Sequence, residues 1–190
     1  MFAERGLGAT LDDIAERAGV GTGTAYRHFR NKQEIAAEVL AAATEQIVRE
    51  AEAALEIDDP WLALVAFFES IAQRQAADRG LYQALAGLGR SDDKVRIWPE
   101  IVSTVTTLFT RARKAGAIRA DASPGDAAMM LAMLGPIFDM GTAGPPDLWR
   151  RYLALLLDGL RAAGRPNMSV AAPTFSTMDD MIAAGKHHRR

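Results

Sequence analysis

Residues 11–29 read LDDIAERAGVGTGTAYRHF, and this stretch decides the predicted fold. Its first apolar residues recur at the three- and four-residue spacing of one helix face: Leu11, Ile14, Ala15 and Ala18. Thr10 and Asp13 are spaced for a cap at the helix start, and Gly19 is typical of a helix C-terminus. A second short helix is predicted over Thr22–Phe29. The stretch is therefore a helix, a short turn that contains glycine, and a second helix.

Helical spacing continues through most of the remaining chain, and no segment shows the convincing alternation of a strand. The predicted helices are Lys32–Leu55, Pro60–Asp78, Leu81–Leu88, Ile101–Lys114 opened by Pro99, a methionine-rich helix opened by Ser123-Pro124 and kinked at Gly135-Pro136, and Asp147–Ala163. We therefore predict an all-α fold with an N-terminal helix-turn-helix module over residues 1–40. A helical-bundle domain for ligand binding and dimerisation follows over residues 41–164, and residues 165–190 are expected to be a tail, mostly mobile unless docked.

Composition limits the functional classes. The 190 residues are 49% hydrophobic and carry a formal net charge of −2, so nucleic-acid contact must come from a local patch rather than from a uniformly basic surface. The absence of cysteine excludes disulfides, thiolate zinc sites and a cysteine nucleophile. The longest apolar run, around Ala127–Pro136, is too short and too interrupted for a bilayer span, and we expect a cytoplasmic protein without a membrane partner.

The second helix of the pair carries side chains suited to DNA. In helix-turn-helix proteins this helix enters the major groove. Hydroxyl groups, a guanidinium group and an ammonium group can contact phosphates or base edges, and small residues allow the backbone to approach. The candidates for DNA contact are Gly21, Thr22, Thr24, Tyr26, Arg27, His28 and Lys32.

These residues closely resemble the DNA-binding module of TetR-family repressors. The resemblance rests on Asp12–Val20, on Gly23–Phe29 and on Lys32. It implies double-stranded operator DNA, a small-molecule effector and a homodimer. It also implies phosphate contacts by Thr24, Tyr26, His28 and Lys32 and a base-reaching position at Thr22.

Two positions within the motif depart from the family pattern. The family usually has serine where Gly21 stands, so a capping hydroxyl is lost or moved to Thr22. It also has a larger apolar residue where Ala25 stands. Residues 1–6 resemble only the last turn of the family's first helix, and we expect the natural chain to start upstream of Met1. The alternative is that the chain as given binds DNA poorly.

The predicted bundle can hold an apolar ligand with a few polar contacts. Candidates for that role are Phe68, Ile71, Gln75, Tyr82, Trp98, Val102, Thr106, Met133, Ile137 and Phe138. The competing interpretation of each residue is that it belongs to the ordinary core.

The last predicted helix carries two adjacent apolar stripes, which is more than one buried face requires. One stripe contains Trp149, Leu153, Leu156 and Leu160, and the other contains Leu148, Tyr152, Leu155 and Gly159. We predict that the second stripe meets a partner copy, together with the methionine-rich helix. A fully buried core helix in a monomer is the alternative.

The sequence thus predicts a ligand-responsive transcriptional regulator, and specifically a repressor. No metal-ligand spacing, catalytic motif or phosphate-binding loop is present, so we expect neither a cofactor nor a metal nor an enzyme. A rival hypothesis is a helical small-molecule-binding protein or small enzyme that keeps a vestigial DNA-binding module.

Overall fold

The computed structural model describes residues 10–78, 94–140, 144–162, 164, 166–172 and 174, without some side chains near the starts of two long helices and at position 139. Its helices are α1 (Leu11–Ala18), α2 (Thr22–His28), α3 (Lys32–Leu55), α4 (Pro60–Ala77), α5 (Lys94–Lys114), α6 (Pro124–Met133), α7 (Gly135–Met140) and α8 (Leu148–Leu160). The all-α prediction is confirmed. The predicted helix Leu81–Leu88 lies outside the described residues.

Two separate apolar clusters form the interior, and α3 contributes to both. The smaller cluster lies around Leu11, Ala15 and Ala25 and includes Ile35 from the first part of α3. The larger cluster lies among α3 to α8 and includes Ala51 and Ala54 from the second part of α3. One continuous helix therefore connects the N-terminal module to the bundle.

Helix α4 begins with a side-chain cap. Asp59 accepts from the amides of Trp61 and Leu62 at 2.8 and 2.9 Å, and Pro60 lies in the first turn.

Aromatic side chains fill the centre of the bundle. Along α4, Phe68 is fully buried, and its ring lies edge-on to Phe109 of α5 at a centroid distance of 6.5 Å. Such edge-to-face pairs are favourable beyond the burial of their area.

Arg111 joins α5 to the C-terminal end of α3. Its guanidinium group donates to the carbonyl oxygens of Leu55, Ile57 and Asp58 at 2.6, 2.5 and 2.5 Å. The last carbonyl groups of a helix lack intrahelical donors and carry partial negative charge. A cation there is favourable because it donates hydrogen bonds to these groups and because its charge is attracted to them.

Two predicted helix boundaries are wrong. Helix α5 begins at Lys94 rather than near Ile101, with Pro99 inside it. Pro99 is the sixth residue of α5, where a proline lacks the amide hydrogen bond to residue i−4 and crowds that carbonyl, so the sequence rule that a proline opens a helix does not hold here. Helix α8 ends at Leu160 rather than at Ala163, because Arg161 turns to extended backbone and forms a bridge with Ile118.

The start of the predicted tail is docked on the bundle. Arg119 donates to both carboxylate oxygens of Asp121 at 2.5 and 2.9 Å and also to the carbonyl of Pro166 at 3.0 Å. The amide of Met168 donates to Asp121 at 2.6 Å. The ion pair therefore holds residues 166–168, whereas the sequence predicts a tail from residue 165.

Docking of this segment is expected to weaken in acid. The hydrogen bond from Arg119 and that from the Met168 amide lower the pKa of Asp121 from 3.8 to about 2. A carboxylate whose pKa is lowered by folding stabilises the folded state at pH values above its ordinary pKa. This stabilisation is lost as the pH falls towards the lowered pKa. Hydrogen-exchange protection of the Met168 amide should therefore fall between about pH 4 and 2, while amides in α4 serve as the control. Constant protection of Met168 down to pH 2 would contradict this prediction.

Among the described residues, no helix combines the length and apolarity needed to cross a membrane.

Candidate nucleic-acid interface

The turn between α1 and α2 is fixed by local hydrogen bonds. Thr10 and Asp13 form a reciprocal capping box at the start of α1, with Asp13 N to Thr10 Oγ1 at 3.1 Å and Thr10 N to Asp13 Oδ2 at 2.9 Å. Gly19 ends α1 in the left-handed region at φ 67°, where a side chain would be strained. The amide of Val20 then donates to Ala15 O at 3.0 Å, so the direction in which the chain enters α2 is set.

A small apolar core holds the inner side of α2. Ala25 is the buried residue of α2, and it packs in one cluster with Leu11, Ala15 and Ile35. Phe29 and Ile14 lie partly buried against the same cluster. Ala25 therefore attaches α2 to α1 and to the start of α3 through this cluster.

The outer side of α2 is open to solvent. Tyr26 is 54% exposed, and the neighbouring polar side chains are exposed as well: Thr22, Thr24, Arg27 and His28. Gly21 is the N-cap residue of α2 and has extended backbone, and no side-chain hydrogen bond caps the start of this helix. Of the two sequence alternatives, the capping hydroxyl is therefore lost rather than moved to Thr22. The six predicted contact residues from Gly21 to His28 thus share one exposed segment.

Helix α3 begins immediately after this segment, and its start is held by two side chains that the sequence prediction missed. Asn31 Oδ1 accepts from the amide of Glu34 at 3.0 Å, and Glu34 Oε2 accepts from the amide of Arg30 at 2.7 Å. Asparagine followed three residues later by glutamate is a signal for such a start. Lys32, the remaining predicted DNA contact, is the first residue of α3, and its side chain lies outside the described part of the structure.

Exposed basic side chains surround this surface. Arg17 lies in the last turn of α1, Arg27 and His28 lie in the last turn of α2, and Arg30 follows. Exposed arginine, histidine and hydroxyl side chains on and next to one short helix are the groups that contact a phosphate backbone. Within the described ranges, no group of three or more histidine, aspartate or glutamate residues is arranged to hold a metal ion.

Two family models match the chain. The model of the tetR family of bacterial regulatory proteins matches residues 1–39. The C-terminal domain of SbtR-like transcriptional regulators matches residues 59–162, which is more than half of the chain. This chain belongs to the TetR family of transcriptional regulators.

Known members of the family agree with this assignment. The TetR transcription regulatory protein from Mycobacterium vanbaalenii is 34% identical, with a TM-score of 0.56 over 84% of this chain and 87% of that chain. PfmR, a TetR-family regulator from Thermus thermophilus, has a TM-score of 0.65 over 84% of this chain and 94% of its own, and at 24% identity it supports the fold alone.

A further similarity is confined to a short segment. The HTH-type transcriptional repressor KstR2 of Mycolicibacterium smegmatis is 51% identical over 41 residues, which are 21% of this chain and 20% of the relative. The match therefore spans about a fifth of the length of that curated relative.

In this TetR-family chain, the predicted effector-binding residues are only partly brought together. Phe68, Ile71 and Gln75 are buried on one face of α4. Val102 of α5 is half-buried, and Ile137 and Phe138 of α7 pack against the main cluster.

Of the other four predicted effector-binding residues, two lie on the outer faces of their helices and two cannot be placed, because they fall outside the described part of the structure. Thr106 and Met133 are exposed, because the inward faces of their helices are formed by other residues, such as Val105 and Met130. These two residues therefore do not line the buried interior of the described chain, and their role in effector binding stays a prediction. Tyr82 and the Trp98 side chain lie outside the described residues.

The two stripes of α8 point in different directions. Trp149, Leu153 and Leu160 of the first stripe are buried in the chain, and Leu156 is half-buried. In the second stripe, Tyr152 and Leu155 are 41% and 59% exposed, and Leu148 and Gly159 are half-buried. One face of α8 is therefore used by the fold itself, and the other carries large apolar groups at the surface.

Proposed function

We propose that this TetR-family chain is a cytoplasmic, ligand-responsive repressor that binds palindromic operator DNA as a homodimer and is released by a small molecule. The observation that carries the proposal is the exposed face of α2. Ala25 anchors the helix from beneath, while Tyr26, Arg27 and His28 are left free to reach a duplex.

Dimerisation supplies the second set of DNA contacts that a single module lacks. Residues 1–32 contain five basic and four acidic side chains, so one module carries little net attraction for DNA. Two copies of α2 placed about 34–36 Å apart would contact successive major grooves of a palindrome. The exposed stripe of α8 around Tyr152 and Leu155 offers the surface for that pairing.

Release by a ligand fits the connection between the modules. Helix α3 packs with the small cluster through Ile35 and with the bundle through Ala51. A ligand that favours one orientation of α3 shifts the population towards one spacing of the two α2 helices. Repression as the outcome is supported by KstR2, which is described as a transcriptional repressor.

Fluorescence anisotropy with labelled DNA tests this function. The DNA is the promoter region next to the protein's own gene, and a scrambled duplex of equal composition is the comparison. Specific binding should be at least about 1,000-fold tighter than binding to the scrambled duplex at physiological salt. Equal affinity for the two duplexes would refute operator binding, and an unchanged affinity at saturating effector would refute the ligand response.

Gly23 provides a prediction in which stability and DNA affinity move in opposite directions. A methyl group at Gly23 would meet no protein atom within 4 Å, so the described chain itself does not require glycine there. Gly23→Ala should stabilise α2 by up to about 1 kcal/mol through helix propensity. It should weaken operator binding roughly tenfold, because the methyl group occupies the space through which a phosphate approaches. Thermal unfolding and anisotropy measure the two effects, and unchanged DNA affinity would show that no close contact is made at Gly23.

A further inference from the structure

Gln75 is a polar side chain in an interior position. It is 6% exposed, and no donor among the described residues is hydrogen-bonded to its Oε1 atom. Thr44, the other buried polar residue in the described part of the chain, does interact with a partner. Buried polar atoms of native proteins are nearly always hydrogen-bonded, so a buried acceptor without a donor calls for an explanation.

The surroundings of Gln75 on α4 are apolar. Phe68, Ile71 and Ala72 precede it at helical spacing on the same face, and each is at most 3% exposed. An unmet acceptor among such groups is strongly unfavourable. The position would suit an apolar residue equally well, so the fold alone does not account for an amide there.

Two side-chain donors on α4 and α3 are engaged with one carboxylate. Arg74, the preceding residue, donates to Glu50 Oε1 of α3 at 2.5 Å, and Gln46 Nε2 donates to the same oxygen at 2.9 Å. The hydrogen bonds from Gln46 and Arg74 lower the pKa of Glu50. Gln75 Oε1 is therefore left as an acceptor in the bundle interior without a donor from this pair of helices.

We infer that Gln75 is a specificity-determining residue for the effector, and that the effector is a mainly apolar molecule that donates one hydrogen bond to Gln75 Oε1 from a hydroxyl or N–H group. This inference rests on the proposed function, since it describes the same ligand. An anionic group is disfavoured at this point, because the carbonyl oxygen is itself negative and the neighbouring cation Arg74 is paired with Glu50.

Matched probe pairs test the inference on the full-length protein. Each pair differs only by methylation of the donor: octanol and octyl methyl ether, cyclohexanol and cyclohexyl methyl ether, and indole and N-methylindole. Isothermal titration calorimetry measures binding to the wild type, to Gln75→Met, which keeps the side-chain shape, and to Gln73→Met, a control at an exposed position of the same helix.

The donor member of at least one pair should bind the wild type and Gln73→Met about tenfold more tightly than its methylated partner. In Gln75→Met that preference should shrink below about twofold. Without ligand, Gln75→Met should melt about 2–4 °C above the wild type, because a buried unmet acceptor has been removed.

Equal or tighter binding of the methylated members overturns the inference. A lower melting temperature of Gln75→Met also overturns it, since the amide would then be held by the protein itself. Operator release, measured with the same probes, separates this inference from the proposed function. Donor-dependent binding that leaves DNA affinity unchanged would refute the ligand response and leave the contact to Gln75 standing.

Discussion

Tyr26→Ala is expected to weaken operator binding by at least roughly 100-fold in the proposed dimer. Tyr26 is 54% exposed on the outer side of α2 and can donate its hydroxyl to a phosphate. A hydrogen bond to a charged group contributes about 1.5–3 kcal/mol, and the symmetric dimer loses it at both half-sites. Because the phosphate is common to every sequence, affinity for scrambled DNA should fall as well. Anisotropy titrations with both duplexes measure the change.

Two controls separate this effect from misfolding. The melting temperature of Tyr26→Ala should stay within about 2 °C of the wild type, because the side chain is outside the core. Tyr26→Phe keeps the ring and removes only the hydroxyl, so it should account for most of the loss. Wild-type affinity in Tyr26→Ala would place the DNA contacts elsewhere on the module. Arg27→Ala, in contrast, should alter sequence preference if Arg27 reaches a guanine.

Leu155→Arg is expected to convert the proposed dimer into monomers at micromolar concentration. Leu155 is 59% exposed on the outward stripe of α8, next to Tyr152 at 41%. In a two-fold symmetric interface each substitution is present twice, and two buried charges face each other without a partner. Dimerisation should weaken by at least about 100-fold, which sedimentation velocity measures directly.

The matched control is Leu62→Arg. Leu62 is exposed to a similar extent, 54%, but lies at the start of α4 and outside the predicted interface. This variant should remain dimeric and should bind operator DNA as the wild type does. If Leu155→Arg stays dimeric while Leu62→Arg dissociates, the interface lies on α4 and the prediction for α8 is wrong.

Local signals account for the parts of the fold that the sequence predicts well. Thr10 and Asp13 form the predicted cap of α1, and α4 and α6 begin at Pro60 and Pro124 as the sequence predicts. Gly19 ends α1 with positive φ, as a residue without a side chain can. These features depend on neighbours within a few residues, so the sequence alone contains the necessary information.

The remaining differences depend on distant parts of the chain. Arg161 leaves α8 because it pairs with Ile118, which lies 43 positions earlier and has no local signature. Met133 belongs to an apolar run, yet its side chain is 53% exposed, since Met130 and Leu131 already form the buried side of α6. Helical spacing shows that a face is apolar, but it does not show whether that face meets the same chain or another molecule.

The attachment of Arg111 to the carbonyl groups of Leu55, Ile57 and Asp58 gives α3 a fixed pivot. Ile35 lies about 30 Å from that pivot at 1.5 Å of rise per residue. A tilt of about 6° around it displaces the DNA-facing end by roughly 3 Å, which is as long as a hydrogen bond. In the proposed DNA complex, a rotation of this size would therefore be enough to break a contact between α2 and a base pair.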